Sequence, residues 1–297
     1  MRSLVIFLSQ TITASVPIAF AALGGTVSER AGIGTLALEG YLLAGAFGAT
    51  VAALATGSSA AALALAAVAG LVLAAIFAWS TVTMRANAIV AGVAVNLLAA
   101  VGTRIALRVL YDSASNSPPL TIRAARVGSV ARVALIEAVT QPAAWLLPIA
   151  IVGVHLVFAR TVFGLRVTAA GEHPDAVRSQ GLSVEGLRWR AVLLGGVLAA
   201  LGGAHLALNQ HEFVAYMSAG RGFLGLAAVI IGGWRPIPVV CAAVGIGALS
   251  ALEASLAGRV PFPSAVLQAM PYAVTLVAVV GVVRRSRPPR AVMNDLA

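Results

Sequence analysis

The chain has 297 residues, of which 60% are hydrophobic and 10% are charged, and its mean hydropathy is +0.97. About a quarter of the residues in an ordinary soluble domain are charged, so this composition excludes that class. The chain has one cysteine, Cys241, which excludes an intramolecular disulfide and a cysteine metal site.

A helix of about 20 apolar residues crosses the roughly 30 Å hydrocarbon core of a bilayer, and such runs recur along this chain. They predict an all-α polytopic membrane protein that forms a single transmembrane domain over residues 1–297. The nine predicted spans are Leu4–Gly25, Leu36–Ala55, Ala60–Val82, Ala88–Leu110, Pro142–Arg160, Arg190–Leu208, Phe223–Ile237, Pro238–Glu253 and Ala265–Val283. The seventh is short, and its end, from Gly232 to Pro236, fits a tight cytoplasmic turn or a break within a re-entrant pair.

The net charge is +10, and all 20 basic residues are arginines. In a soluble protein this balance would suggest a nucleic-acid partner, but here membrane topology explains it and no nucleic acid is expected. With the amino terminus outside, twelve arginines fall on the cytoplasmic side and eight outside, and Arg284, Arg285 and Arg287 directly follow the last span. This topology predicts an extracytoplasmic loop over residues 111–141, a cytoplasmic loop over 161–189 and a cytoplasmic tail over 284–297.

The sequence Ala-Leu-Gly-Gly occurs twice, at residues 22–25 and 200–203. Each copy precedes a polar break, predicted over residues 26–32 and 209–212, and then a Gly-rich apolar helix. Spans one to four and six to nine would run in opposite senses around the fifth, which is the inverted repeat common in transporters, where broken helices surround the substrate. Four small residues also recur by chance in a chain this rich in Ala and Gly.

The motifs of several enzyme classes are missing from the sequence. Without lysine there is no P-loop, so ATP hydrolysis by that route is excluded, and HExxH, GxSxG and CxxC are also absent. The four histidines form no i, i+4 pair that would bind a metal. We therefore expect no catalytic residue, no metal and no cofactor, and an intramembrane enzyme is the least favoured class.

Some polar side chains lie within or beside apolar helices, namely Glu39, Asn96, His205, Asn209, Gln210 and Glu253. A carboxylate inside a membrane is costly unless it faces protein or water, so Glu39 is a candidate for the substrate path. Alternatively, Glu39 lies near the interface in the first turns of its helix, where the helix dipole stabilises it. Asn96 suits a sugar hydroxyl or a base edge, or else an interhelical hydrogen bond. His205 and Glu253 lie toward outer ends, where an ordinary interfacial role is expected.

The predicted extracytoplasmic loop contains three arginines, Arg123, Arg126 and Arg132. Their spacing places them broadly on one side of a helix, where they would dock an acidic partner protein. A solvated surface helix near lipid headgroups is the alternative.

The segment Gly171–Leu182 is a polar island between two apolar regions. Pro174 suits the first position of a helix, Asp175 its positive start and Gly181 the residue after its end. We therefore predict a two-turn helix over Pro174–Gln180 that docks a partner, rather than a membrane span. A solvated loop is the alternative.

Four segments in order carry a resemblance that covers almost the full length. They are residues 28–32 (Ser-Glu-Arg-Ala-Gly) with Leu38-Glu39-Gly40, residues 91–98 (Ala-Gly-Val-Ala-Val-Asn-Leu-Leu), Phe163 to Gly181, and Gly220 to Trp234. In these segments the chain resembles the permease subunits of ATP-binding-cassette (ABC) importers of the branched-chain amino acid and simple-sugar superfamily, most closely the nucleoside-type branch.

The resemblance implies that the polar island is the cytoplasmic helix that contacts the ATPase. Gly171, Glu172, Pro174, Ala176 and Gly181 fit the family pattern, while His173 stands where relatives often have Asn. The predicted coupling residues are Gly171, Glu172, His173, Pro174, Asp175, Arg178 and Gly181. The resemblance also implies that the break from Ser28 to Gly34 and the helix of Glu39 line the path, with Asn96 close to it.

The implied partners are a separate ABC ATPase subunit, an extracytoplasmic substrate-binding protein, a second permease subunit and membrane lipid. The chain would provide half of the path in a bacterial inner membrane. It resembles the smaller member of an unlike permease pair, and a homodimer is the alternative. The implied substrate is a nucleoside, then a simple sugar, then a branched-chain amino acid. An ATP-independent secondary transporter or channel shares the hydropathy, but it has no need of the helix after Gly171.

Overall fold

The computed structural model describes residues 2–120, 141–257, 263–283 and 288–292. The described chain is dominated by helices because its apolar runs satisfy their backbone polar groups within the segment, as a bilayer requires. The helices are α1 (Arg2–Arg30), α2 (Leu38–Thr56), α3 (Ser59–Ala78), α4 (Ala88–Tyr111), α5 (Pro142–Arg160), α6 (Val162–Glu172), α7 (Pro174–Ser179), α8 (Val184–Gln210), α9 (Arg221–Ile231), α10 (Pro236–Leu256) and α11 (Ser264–Val283). A π-helical turn, Trp79–Thr83, extends α3.

The all-α polytopic class is confirmed, because seven helices in the described ranges are long and apolar enough to cross a membrane. The count of nine spans is not confirmed. The predicted seventh span corresponds to α9, whose 11 residues extend over only about 16 Å. The apolar part of α11, Ala265–Gly281, is also shorter than the other seven.

Both predicted breaks begin later than the sequence suggested. Helix α1 continues to Arg30 and α8 to Gln210, so the non-helical segments are residues 31–37 and 211–220. The hydroxyls of Thr26 and Ser28 donate to carbonyl oxygens four residues earlier in α1. These polar residues are therefore compatible with a buried helix and do not end it.

Helices α1 and α8 form the centre of the fold, and glycines allow their backbones to touch. A Cβ on Gly24 would lie 2.3 Å from the carbonyl oxygen of Gly195, and a Cβ on Gly203 would lie 1.8 Å from that of Leu42 in α2. Close contacts between small residues are the usual basis of helix packing in membranes. Glycines of both Ala-Leu-Gly-Gly copies are thus packing positions.

Several contacts place distant segments at one end of the molecule. The Trp189 indole donates to the Thr83 hydroxyl at 3.1 Å, the Arg188 Nε to the Ala31 carbonyl at 3.2 Å, and the Arg30 Nε to the Trp234 carbonyl at 2.7 Å. We call this the coupling-loop end, because Gly171 also lies there, with its Cα 3.2 Å from where a Gly32 Cβ would be.

The opposite end contains the turn after α4 and the chain after α8. An isolated antiparallel bridge joins Asn116 to Val214, and the Leu120 N–H donates to the His211 carbonyl. Helix α1 therefore runs toward the coupling-loop end and α8 runs away from it. Each is followed by a non-helical segment that returns into the protein, so these two parts of the chain start in opposite senses, as an inverted repeat requires.

Candidate functional site

The two returning segments meet near the middle of the molecule. Asn96, which contacts the start of α2, lies eight residues beyond Ala88 at the coupling-loop end of α4, and this separation corresponds to about 12 Å along the helix. Helix α9 rises about 16 Å between Arg221 and the same end. Both helix starts therefore lie near half the depth of a hydrocarbon core of about 30 Å.

Glu39 joins the two helix starts. It lies in the first turn of α2, and its carboxylate oxygens accept hydrogen bonds from the backbone N–H groups of Gly220 and Gly222, each at 2.7 Å. Gly220 has a positive φ of 79°, and a Cβ on Gly222 would lie 2.4 Å from the Glu39 nitrogen. The first N–H groups of a helix have no acceptor within the helix and give its amino-terminal end a partial positive charge. The amino-terminal ends of α2 and α9 thus converge on one carboxylate. We call this arrangement the central junction.

Asn96 fixes the same region from α4. Its Oδ1 accepts from the Gly40 N–H at 2.7 Å, and its Nδ2 donates to the Leu36 carbonyl at 2.9 Å. The side chain therefore satisfies backbone groups on both sides of the α2 start. This is the interhelical hydrogen bond that the sequence left open as an alternative to a substrate contact.

The other two predicted path residues lie elsewhere. Ser28 is fully buried, and its hydroxyl donates to the Gly24 carbonyl beside Gly195. Gly34 lies near Val292. The structure therefore brings Glu39 and Asn96 together at the central junction but not Ser28 or Gly34.

A polar cavity of about 410 Å³ lies between α1, α8 and α10 and reaches Arg221 at the start of α9. Its lining includes Gln10, Thr13, His205, Asn209, Arg221 and Glu253. The expectation of an interfacial His205 was wrong, because this side chain is fully buried where α8 packs against α1. Arg221 and its flanking glycines are further functional candidates. They were not among the polar candidates of the sequence, although the motif from Gly220 to Trp234 contains them.

The predicted docking helix forms as α7, Pro174–Ser179, with Gln180 as its C-cap and Gly181 at φ 74°. Arg178 forms two solvent-exposed ion pairs there, because its guanidinium lies 3.2 Å from the Asp175 carboxylate and 3.3 Å from that of Glu185 in α8. The exposed residues of this segment are His173, Asp175, Ala176, Arg178, Ser179, Gln180 and Gly181. They form a small polar surface at the coupling-loop end.

A direct contact links this surface to the end of α1. A Cβ on Gly171 would lie 2.2 Å from the Arg30 carbonyl oxygen, so α6 rests on the last residue of α1. The turn that follows includes Gly32, whose φ of 85° strongly favours glycine. The chain then reaches Leu38, the first residue of α2. Only the residues from Ala31 to Ala37 therefore separate the contact with Gly171 from the start of α2.

Arg123, Arg126 and Arg132 lie outside the described residues. No group of three or more His, Cys, Asp or Glu side chains that would hold a metal ion occurs in the described ranges.

Comparison with known proteins identifies the family. The model of the family "Branched-chain amino acid transport system / permease component" matches residues 7–281. The chain is 32% identical to the nucleoside ABC transporter permease protein NupC of Lactococcus lactis, over 98% of this chain and 96% of the relative. It is 30% identical to the guanosine ABC transporter permease protein NupQ of Bacillus subtilis, over 96% and 94%.

A further relative is the putative glucose ABC transporter permease protein TsgC13 of Haloferax volcanii, which is 31% identical over 83% of this chain and 76% of the relative. No solved structure shows a significant match. The family match covers most of the chain, and the apolar helices agree with a multi-pass protein of the bacterial inner membrane. The chain therefore belongs to the branched-chain amino acid transport system permease family, as a permease subunit of the ABC importer type.

Proposed function

We propose that this chain forms one half of the path of a nucleoside importer and that a separate ATPase subunit drives it through α7. The ATPase would contact the exposed polar surface from His173 to Gly181 on the cytoplasmic side. The proposed topology keeps residues 161–189 and 284–297 in the cytoplasm and residues 111–141 outside. In this arrangement ATP is hydrolysed only on the partner.

The observation that carries the proposal is the contact between Gly171 and the Arg30 carbonyl. A docking helix on a flexible loop would absorb the motion of a partner. Here the loop rests on α1, and only the residues from Ala31 to Ala37 separate that contact from the start of α2. Movement of the ATPase would thus change the position of α2 relative to α9, which is a physical basis for alternating access.

The central junction is the element that would rearrange. Glu39 holds the starts of two helices that belong to opposite repeats, and Asn96 fixes α2 to α4. In the proposal these residues control the geometry of the path, and substrate contacts come from the surfaces that they position. Ser28 and Gly34 would act at the moving turn between α1 and α2 and not as ligands.

The proposed partners follow the family relationship. A second permease subunit would complete the path, with an unlike partner favoured over a second copy, and a binding protein would deliver the substrate from outside. Arg123, Arg126 and Arg132 are proposed to dock acidic groups of that binding protein. The nucleoside assignment rests on the two relatives that match nearly the whole chain. A simple sugar is the second candidate, because one relative is named for glucose.

The coupling role is tested with Ala176→Arg, a substitution on the exposed surface of α7 that leaves the contacts of Arg178 intact. The matched control is Ala114→Arg, which places the same side chain at an exposed position on the opposite end. Both variants are purified from native membranes in mild detergent, and bound ATPase is quantified together with thermal stability. We expect Ala176→Arg to lose the ATPase at unchanged stability and Ala114→Arg to retain it.

Transport is measured in proteoliposomes with radiolabelled nucleosides and sugars, with and without the co-purified subunits. Uptake that requires ATP and the ATPase supports the proposal. ATP-independent uptake by the isolated chain would instead establish a secondary transporter, and equal ATPase retention by both variants would refute the role of α7.

A further inference from the structure

A second cavity, of about 380 Å³, lies at the coupling-loop end between α1, α5 and the start of α10. Among the residues that the structure describes, its lining includes two arginines and a histidine, Arg30, Arg235 and His155, and no acidic side chain. The remaining lining includes Phe158, Ile237 and Pro238. The cavity is separate from the central junction and from the exposed surface of α7, so the proposed transport cycle does not account for it.

Two contacts fix the orientation of the Arg30 guanidinium. Its Nε donates to the Trp234 carbonyl at 2.7 Å, and its central carbon lies 4.6 Å from the centroid of the Phe158 ring. The Trp234 indole is itself fixed, because it donates to the Glu29 carboxylate at 2.6 Å. These contacts use one face and one nitrogen of the guanidinium. Neither terminal amino group has a hydrogen-bond partner in the described part of the chain, so both are available for a forked pair of hydrogen bonds to an oxyanion.

The local charge also favours an anion. Arg30 and Arg235 carry like charges and line the same cavity. The carboxylate of Glu29 is occupied by Trp234 and by the Thr35 N–H. An anion between Arg30 and Arg235 would relieve the repulsion between two like charges. Basic pockets between membrane helices at the cytoplasmic surface are typical sites for anionic lipid headgroups.

The surface beside the cavity indicates a lipid and not a small ion. On α5 the side chains of Ile149, Val152 and Leu156 are 66%, 56% and 48% exposed, and their spacing places them along one face. On α10, Ile237 at the cavity and Val244 two turns away are 49% and 43% exposed. An apolar surface thus continues from the basic cavity along both helices, and acyl chains would lie against it.

We propose that this cavity binds the phosphate of an anionic phospholipid, with Arg30 and Arg235 as its main ligands and His155 as a third donor. Only the assignment of this lipid to the cytoplasmic leaflet rests on the proposed function, which places the coupling-loop end in the cytoplasm. Arg30 also carries the carbonyl on which Gly171 packs. A bound headgroup would therefore steady the contact through which α7 acts on α1.

The test uses the isolated, delipidated full-length chain in detergent, so its outcome does not depend on the ATPase or on transport. Phosphatidylglycerol is titrated while thermal unfolding and retained lipid, by native mass spectrometry, are measured. The variants are Arg235→Gln and His155→Gln, which spare the structural contacts of Arg30. The control is Arg160→Gln, which removes an exposed arginine near the same end that does not line the cavity.

We expect phosphatidylglycerol to stabilise the protein and phosphatidylcholine to have little effect. Arg235→Gln should weaken phosphatidylglycerol binding at least tenfold and His155→Gln less, with Arg160→Gln unchanged and lipid-free stability equal in all three. Equal stabilisation by phosphatidylcholine, or equal binding by Arg235→Gln and Arg160→Gln, would overturn the proposal. Equal stabilisation by inorganic phosphate would show a small-anion site and overturn the assignment to lipid.

Discussion

Removal of the Glu39 carboxylate should destabilise the protein, because no other described side chain accepts the N–H groups of Gly220 and Gly222. In Glu39→Ala both donors at the start of α9 lose their acceptor. In Glu39→Gln the amide oxygen accepts one N–H, while the amide nitrogen faces the other donor. Both substitutions should therefore loosen α9 from α2, and the conservative one should not restore the junction.

The expected loss in the free energy of unfolding follows from the two hydrogen bonds to Glu39. Hydrogen bonds to charged groups contribute about 1.5–3 kcal/mol each, so two bonds give an upper value of about 6 kcal/mol by the same principle. The Glu39 side chain is only partly buried, and water will replace part of what is lost. We therefore expect Glu39→Ala to lower the free energy of unfolding by about 3 kcal/mol and Glu39→Gln by about 2 kcal/mol.

The assay is thermal unfolding of the purified protein in one detergent, followed by intrinsic fluorescence and by a size-exclusion readout. Asp112→Asn is the matched control, because it makes the same change of charge at an exposed position, and Asn tolerates the left-handed conformation that Asp112 adopts at φ 52°. The control should unfold within about 1 °C of the unchanged protein, while Glu39→Ala should unfold at least 5 °C lower by the usual relation of stability to Tm.

Two results would refute the reasoning. If Glu39→Ala and Glu39→Gln both unfold like Asp112→Asn, the carboxylate does not hold the junction together. If Glu39→Gln instead keeps full stability and loses transport of one substrate selectively, Glu39 is a substrate ligand and not a clamp.

Three further substitutions test contacts in the helical core and at the coupling-loop end. Gly203→Ala would place a methyl group 1.8 Å from the Leu42 carbonyl oxygen, so it should lower the free energy of unfolding by about 3 kcal/mol. Gly102→Ala, where a Cβ would have nothing within 4 Å, is the control and should be neutral or slightly stabilising in thermal unfolding. Gly171→Ala should displace α6 from the Arg30 carbonyl, so ATP-driven uptake should fall at least fivefold while the ATPase still co-purifies. Gly245→Ala, which has open space around it, is the control. Equal uptake by the two variants would contradict the coupling path. Trp234→Phe removes the indole donor of the buried Glu29 carboxylate and should lower the free energy of unfolding by about 2 kcal/mol. The control is Trp189→Phe, which loses an exposed hydrogen bond. An equal Tm of the two variants would show that the Trp234 donor is not needed for stability.

The sequence predicted the helical class and the short helix α7 because both depend on local information. Long apolar runs and the positions of Pro174, Asp175 and Gly181 specify those elements without knowledge of the rest of the chain. Glu39 and Asn96 were found by polarity, but their hydrogen-bond partners were not, because Gly220 is 181 residues from Glu39 and Gly40 is 56 residues from Asn96. Hydropathy also cannot distinguish a helix that crosses the membrane from one, such as α9, that begins halfway.

The starts of α2 and α9 differ at the central junction, and electrostatics gives a reason. Glu39 is the second residue of α2, and Gly222 is the second residue of α9. Two carboxylates at these equivalent positions would repel each other, whereas one carboxylate can neutralise two positive helix ends. The position opposite must then lack a side chain, since a Cβ on Gly222 would overlap the Glu39 backbone.

The carboxylate of Glu39 interacts with the positive ends of both α2 and α9. When the two helices separate, it therefore loses only one of these interactions. If α2 shifts under a force from α7, Glu39 keeps the dipole of its own helix while releasing the N–H groups of α9 to water or to a polar substrate. The energy of this exchange, about 3 kcal/mol for two bonds partly replaced by water, is small enough for ATP hydrolysis to drive and large enough to hold the resting state. In the proposed transport cycle this asymmetric clamp would hold the resting state and would open when α7 moves.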